Sequence, residues 1–398
     1  MRSLRDIATD LLLVGLERPS RHYDALLRGD TVRLLSRFDT VSSGRAVNLL
    51  LPHAIPSQTF AGVKTALLFG EQLAKFMALP LRVVPFRDDL AQLMRSALRV
   101  RQHNTRITAI RDLCPGTNDV WIATYWSTAA ALQTACQMRK LSPDKVVYFV
   151  QDYEPGFFPW SSDKAFAKAT YHAGFRLVVN SEPLARYLRE QEGIAIEEQL
   201  IVRPTLNHAL LREAAGKRRA ARYPRIFFYA RPTKPRNLFE LGAQALEIFS
   251  RAAVRESEQI VIVTAGERHK PLVVAPNTRI VQLGNVGWHD YYHLIAETDI
   301  ALSLMYSPHP SHPPLDFAAG GARVVTNAMN DFRSNLHDNI VAATPAPEAL
   351  ADALLSSMRD WRQQPLLPFA PPRFLGSDMA SVASAVASQL CERSAGGA

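Results

Sequence analysis

The chain has 398 residues, enough for two domains of ordinary size, and its 47% apolar and 21% charged residues allow a sizeable core in each half. A net charge of +9 favours phosphorylated ligands or anionic surfaces; the cations are dispersed, no nucleic-acid reader motif occurs, and a run such as Lys217-Arg218-Arg219 reads as a solvated face, which argues against nucleic acid. Three cysteines, Cys114, Cys136 and Cys391, without CxxC spacing exclude a disulfide framework and a cysteine zinc site, and fit the cytoplasm.

In chain order, Leu11-Leu12-Leu13-Val14 lies between Asp10 and Glu17. It is too short to span a bilayer and lacks a cleavage signal, so residues 1–45 read as a helical extension, with peripheral contact at the inner face of a membrane left open. Thr40 to Gly44 reads as a linker. Short apolar strands are then expected at Ala46 to Leu51, Leu81 to Phe86, Val120 to Tyr125, Val146 to Val150, Leu177 to Val179 and Leu200 to Val202. Helix-length segments such as Val63 to Met77 and Pro183 to Glu192 lie between them. Continuous apolar strands alternating with helices predict a parallel sheet buried on both faces. The charged, Ala-rich stretch from Asn207 to Pro224 breaks this rhythm and is expected to include the interdomain connection.

A second βαβ array follows, with strands at Ile226 to Tyr229, Ile260 to Thr264, Ile280 to Leu283, Ile300 to Met305 and Val324 to Thr326, and helices at Leu238 to Ala253 and Tyr291 to Glu297. A Pro-rich stretch, Pro365 to Pro372, precedes a last helix near Asp378. The expected domains are 1–45 (helical extension), 46–206 and 207–375 (two Rossmann-like domains facing a central cleft) and 376–398 (C-terminal helix). The fold class is α/β. Ligands of such folds lie outside the C-terminal ends of the strands, on loops and helix N-termini.

Four loops carry candidate chemistry. Ala230 to Asn237 follows a strand and opens a helix, and it places Arg231, Lys234 and Arg236 where a diphosphate needs fixed charge and fork-like donors. Tyr306 to Asp316 follows another strand; its four prolines preset its shape, Ser311 and nearby N–H groups are candidate ligands for phosphate or sugar hydroxyls, and Asp316 is expected in the first helical turn, able to accept from a ribose. His309 and His312 lack a third metal ligand in range, so no metal site is expected. Phe60-Ala61-Gly62-Val63 precedes a helix, and Gly62 would let a substrate approach the backbone. Gln151 to Trp160 sets two carboxylates, Asp152 and Glu154, at a strand end before aromatics, a combination suited to sugar binding and proton handling.

At these residues the sequence resembles the GT-B glycosyltransferases of the family-4 type, and more narrowly the bacterial rhamnosyltransferases that build surface polysaccharide from dTDP-L-rhamnose. The phrases that carry the resemblance are Tyr148 to Gly156, Phe228-Tyr229-Ala230-Arg231-Pro232, Ser307 to Pro314, and Asp316 to Asn327, within a match over roughly positions 46 to 345. The resemblance implies a glycosyltransferase whose C-terminal domain binds the nucleotide sugar. Arg231 matches the diphosphate-holding position and Arg236 falls near the second basic position. His309 and Pro310 belong to the donor-sugar loop. Asp316 matches the ribose ligand, and Gly284 to Trp288, with Asn285, Val286 and Trp288, would lie by the base. Asp152 would face the reacting centre. Retention of anomeric configuration, no cofactor and no catalytic metal are also implied, as is a glycan or lipid-linked glycan acceptor. Asp152-Tyr153-Glu154 is also similar to the acidic metal triplet of the other sugar-transferase fold, which has one nucleotide-binding domain where this chain has two.

Two departures matter. The broad family carries two glutamates eight positions apart; here the first falls on Pro308 and the second is Asp316, one methylene shorter. The shorter side chain shifts the ribose contact or hands it to water. It also motivates two other readings: a nucleotide-sugar-binding scaffold without catalysis, and a GT-B sugar-nucleotide epimerase, which would convert the donor without an acceptor.

Overall fold

The computed structural model describes residues 30–39, 42–52, 61–86, 104–254 and 259–395. The Leu11–Val14 segment lies outside them, as do Thr40 and Val41 of the expected linker. Among the described residues no helix is long and apolar enough to cross a membrane.

By contact the chain divides into two compact units. One comprises Met1–Val150, Phe158–Val178 and Met379–Ala398; the other comprises Gln151–Phe157 and Val179–Asp378. This differs from the expected boundaries at 206/207 and 375/376. The loop after residue 150 belongs with the second unit, and the final helix with the first.

A seven-stranded sheet runs in the order β3-β2-β1-β4-β5-β6-β7. Its strands are β1 (Val47–Leu51), β2 (Leu81–Pro85), β3 (Thr105–Ile107), β4 (Val120–Ala123), β5 (Val146–Val150), β6 (Arg176–Asn180) and β7 (Ile201–Val202). Every residue of β1, β2, β4 and β5 is buried, so these strands read as mainly apolar runs rather than alternating ones; the buried exceptions, Asn48 and Arg82, both donate to Asp119 Oδ2 at 2.8 Å. β1 pairs in parallel with both β2 and β4. The helices are α1 (Asp30–Arg37), α2 (Ala61–Phe76), α3 (Trp126–Gln137), α4 (Ser162–Thr170) and α5 (Glu182–Glu192).

A six-stranded sheet forms the second array, in the order β10-β9-β8-β11-β12-β13. Its strands are β8 (Arg225–Ala230), β9 (Ile260–Gly266), β10 (Thr278–Gly284), β11 (Ile300–Leu302), β12 (Arg323–Asn327) and β13 (Ile340–Ala343), all paired in parallel. The helices that follow β7 are α6 (His208–Lys217), α7 (Phe239–Ala253), α8 (Trp288–Glu297), α9 (His312–Ala319) and α10 (Pro347–Gln363), and, belonging to the first unit, α11 (Met379–Ala395). Successive residues of β8 feed opposite cores. Ile226 and Phe228 pack with Leu246, Phe249, Leu354 and Met358, while Phe227 packs with Ile295 and stacks on Phe317 at 4.3 Å. Within the stretch expected to include the connection lies α6, capped by the Asn207 side chain, which accepts from the Leu210 N–H at 3.2 Å. It packs on α8 and α9, because its Leu211 and Ala214 are apolar one turn apart and bury together. α11 packs on α2, and Arg176 Nε donates to Gln389 Oε1 at 2.7 Å.

From β8 the chain moves outward to β9 and β10, then returns to the other side of β8 for β11, β12 and β13. The loops after β8 and β11 therefore leave neighbouring strands in divergent directions, the arrangement that opens a ligand crevice at the C-terminal edge of a doubly wound sheet.

Candidate functional site

The loop after β8 begins with Arg231. Its Nε lies 3.5 Å from Glu267 Oε1, and Nη1 reaches the Tyr229 hydroxyl at 3.5 Å. Glu267 is held in turn by Thr233, whose N–H and hydroxyl donate at 3.0 and 2.9 Å. Burial acts to raise the Glu267 pKa, but the Thr233 bonds and the Arg231 charge outweigh it and hold the carboxyl below its ordinary value. The strand end is tightly made: Gly266 has φ +127°, and a Cβ there would meet the Ala230 carbonyl oxygen at 2.5 Å. Lys234 precedes a single 3₁₀ turn, Pro235–Asn237, and its side chain makes no hydrogen bond among the described residues. Leu238, at φ +50°, turns the chain into α7.

Arg236 is the junction of three segments. Its guanidinium lies 4.2 Å over the Phe157 ring, its Nε is 4.0 Å from Asp152 Oδ2, and its carbonyl accepts the Tyr306 N–H at 2.7 Å. Asp152 also accepts from the Tyr153 N–H at 2.8 Å and from the Ser307 hydroxyl. Burial pushes the Asp152 carboxyl up, opposed by Arg236, by the Ser307 and Tyr153 bonds and by Arg333. The loop carrying Asp152 is anchored by Tyr153, which donates to Glu192 Oε1 at 2.5 Å and packs on the Tyr187 ring at 4.8 Å. Glu154 is buried in the 3₁₀ turn that follows, Glu154–Phe157.

The loop after β11 is shaped by one buried arginine. Arg333 Nη1 donates to the carbonyls of Ser307 (3.2 Å) and His309 (2.7 Å); Nη2 donates to the Pro310 carbonyl (3.3 Å) and the Thr326 hydroxyl (2.7 Å); Nε donates to the Asn327 carbonyl (3.1 Å). All five N–H donors of the guanidinium are thereby used. Burial lowers its pKa to about 10, with Asp152 opposing. Inside the loop the His309 N–H donates to Ser307 Oγ at 3.2 Å, and the Ser311 N–H donates to His309 Nδ1 at 3.0 Å.

Three expectations are corrected here. Helix α9 starts at His312, so Asp316 stands in its second turn rather than its first. The cause is that Pro313 and Pro314 occupy first-turn positions, where a missing N–H costs nothing. The same prolines remove two of the N–H groups expected to hold phosphate, and the Ser311 N–H is taken by His309; the His312 N–H and the Ser311 hydroxyl remain without hydrogen bonds among the described residues. Gly62 lies within α2, not before it.

Asp316 is buried, and its Oδ2 accepts the Tyr291 hydroxyl at 3.0 Å. Burial raises the carboxyl to about 7, against the Tyr291 bond. Tyr291 belongs to an aromatic group with Tyr292 and Trp288; the Trp288 ring lies 6.5 Å from Tyr292 and is 54% exposed. Asn285 is exposed on the turn before α8, and Val286 packs partly against the core. The structure thus joins Asp152, Arg236, Ser307, His309, Pro310 and Ser311 through contacts in one unit, with Arg231 on the same strand end as Arg236. Gly62 belongs to the other unit. Arg333, Tyr291 and Glu267 were not legible as site residues. Only Glu267, directly after the Gly266 that ends β9, carried a usable sequence signal.

Residues 46–181 match the WsaF N-terminal domain and residues 224–355 match the WsaF C-terminal domain. The chain is similar to the O-antigen biosynthesis protein RfbC of Myxococcus xanthus, 31% identical over 215 residues that make up 54% of this chain and 16% of that protein. The chain therefore spans only a small part of that relative's length. Among solved structures it is similar to sucrose-phosphate synthase from Thermosynechococcus elongatus, with TM-score 0.53, 13% identity, and 88% of this chain and 94% of that chain covered. It is also similar to the N-terminal domain of Candida albicans trehalose-6-phosphate phosphatase, with TM-score 0.50, 10% identity and the same coverage. At these identities the likeness speaks for the fold alone, the α/β GT-B type. With both matched domains in order and together spanning more than half of its length, the chain belongs to the WsaF family.

Proposed function

We propose that the chain is a glycosyltransferase that moves a sugar from a nucleotide-diphosphate donor to a glycan or lipid-linked glycan in surface polysaccharide synthesis, working at the cytoplasmic side of a membrane. The observation that carries this reading is the crevice at the β8/β11 edge, where Arg231, Arg236, Ser311 and the clamped 307–311 loop gather phosphate-binding groups. As the bond from the anomeric carbon to the leaving phosphate breaks, negative charge builds on the phosphate. Fixed cations in a partly dry site stabilise it. Asp152 holds Arg236 and Ser307 in place through its own contacts. The O-antigen name of the similar Myxococcus protein supports polysaccharide synthesis. The Pro-His-Pro-Ser loop supports dTDP-L-rhamnose as donor, with retention of configuration and no catalytic metal.

Thermal shifts over a panel of nucleotides and nucleotide sugars test the donor, because stabilisation follows RT ln(1 + [L]/Kd). The expected winner is dTDP-L-rhamnose, followed by transfer to an acceptor in buffer containing EDTA, with the product anomer read by NMR. Arg231→Ala should weaken donor binding and abolish transfer. No stabilisation by any nucleoside diphosphate would overturn the reading; donor binding without turnover on any acceptor would favour a scaffold.

A further inference from the structure

We propose that His309 supplies a neutral hydrogen-bond donor, its Nε2–H, to a phosphate oxygen of the bound nucleotide diphosphate. The proposal rests on the reading of this crevice as a sugar-nucleotide site.

The tautomer follows from the fold. Ser311 donates its N–H to His309 Nδ1, so that nitrogen carries the lone pair and a neutral ring must hold its proton on Nε2. Burial, followed by the charges of His312, Arg333 and Arg236, lowers the ring's pKa to about 3, so it stays neutral at working pH. The residue is only 6% exposed, and Nε2 has no hydrogen-bond partner among the described residues. Buried donors are rarely left so, and such an atom calls for a ligand or an ordered water. The Ser311 N–H on Nδ1 sets the ring's orientation at 3.0 Å, and the backbone beneath it is held by Arg333 on the His309 carbonyl at 2.7 Å and by the His309 N–H on Ser307 Oγ at 3.2 Å. An anion is favoured over a neutral hydroxyl because, beside the single carboxylate of Asp152, the charges that act on the ring are cationic. Arg236 and Arg333 both act on the ring, and the adjoining His312 N–H at the start of α9 makes no hydrogen bond among the described residues. A neutral imidazole adds a donor there without the repulsion that a third cation would bring.

Two substitutions separate a ligand-binding role from a structural one. His309→Asn places an amide oxygen near the Nδ1 position, keeping an acceptor for Ser311 but losing the distal donor. His309→Gln reaches the Nε2 position with an N–H but loses the Nδ1 acceptor. Calorimetric titration with dTDP, UDP and GDP is run on wild type and both variants, with thymidine as a phosphate-free control. The expected result is that His309→Asn melts near wild type yet binds the preferred nucleoside diphosphate about tenfold or more weakly. His309→Gln should keep more of the affinity despite a lower melting temperature, and thymidine binding should not distinguish His309→Asn from wild type. Wild-type affinity in His309→Asn, weaker binding by His309→Gln than by His309→Asn, or a matching loss for thymidine would each overturn the phosphate assignment. Absence of nucleoside-diphosphate binding by the wild type would instead sink the reading of the crevice itself.

Discussion

Replacing Arg333 by methionine keeps most of the side chain's length and apolar stem while deleting five hydrogen-bond donors. The carbonyls of Ser307, His309, Pro310 and Asn327 lose these donors inside the fold; the Thr326 hydroxyl still donates to the Ser303 carbonyl at 2.7 Å. A hydrogen bond to a charged group contributes roughly 1.5–3 kcal/mol when removed singly. Five to one guanidinium do not add, and its desolvation cost disappears with it, so the net loss expected is about 3–5 kcal/mol. Arg333→Lys keeps the charge and offers three donors, and should fall between wild type and Arg333→Met. Urea melts followed by amide exchange at His309 and Ser311 read both the stability and the loop. Protection of those two amides should drop most in Arg333→Met, and nucleoside-diphosphate affinity should drop with it. An unchanged urea midpoint together with unchanged exchange at these amides would refute the clamp.

Asp316, raised to about 7, predicts a pH effect whose sign is opposite to that of a salt-bridged carboxylate. Between its unfolded pKa of about 3.9 and 7 the folded state holds the extra proton, so its contribution to stability is full below that window and falls by up to about 1.4 kcal/mol per pH unit as pH rises through it. Asp316→Asn should therefore flatten the stability profile between pH 5 and pH 8 and stabilise the protein most at pH 8; an unchanged slope in urea melts would count against a buried, protonatable carboxyl. Gly266→Ala forces a Cβ onto the Ala230 carbonyl at a φ that disfavours side chains, costing about 1–3 kcal/mol and displacing Arg231, whose Cγ lies 3.1 Å from the new atom. Its check is a lower melting temperature with a raised Kd for the donor. Asp152→Asn removes a carboxylate beside Arg236, so free nucleoside diphosphate should bind as tightly as in wild type or tighter while transfer slows; a large loss of nucleotide affinity would contradict the counter-ion role.

The central strands were readable because burial on both faces removes the polar alternation that hides short strands. β3 and β13 escaped notice: one carries Arg106 among three residues, and the other is only half-buried at the edge of its sheet. The loops after β8 and β5 announced themselves through charges set at strand ends. Arg333 did not, because Asn330-Asp331-Phe332-Arg333-Ser334-Asn335 has the composition of a surface turn. Its burial comes from carbonyls more than twenty residues upstream, and no local pattern encodes that meeting. Asp316 was misplaced by a turn because two consecutive prolines look like loop, although the first turn of a helix accepts them.

The placement of α11 bears on how the polypeptide is made. α2 is translated before the helix that packs on it, with the second unit's long segment, Val179–Asp378, between them. At about 5–20 residues per second, the intervening stretch takes on the order of 15–60 s to appear, and for that time the apolar face of α2 waits without its partner. The second unit, whose long segment ends at Asp378, has all its parts before α11 arrives. In the cell, then, the N-terminal unit is the later of the two to finish. Removing α11 should expose this unit, rather than the second, to chaperones and proteases.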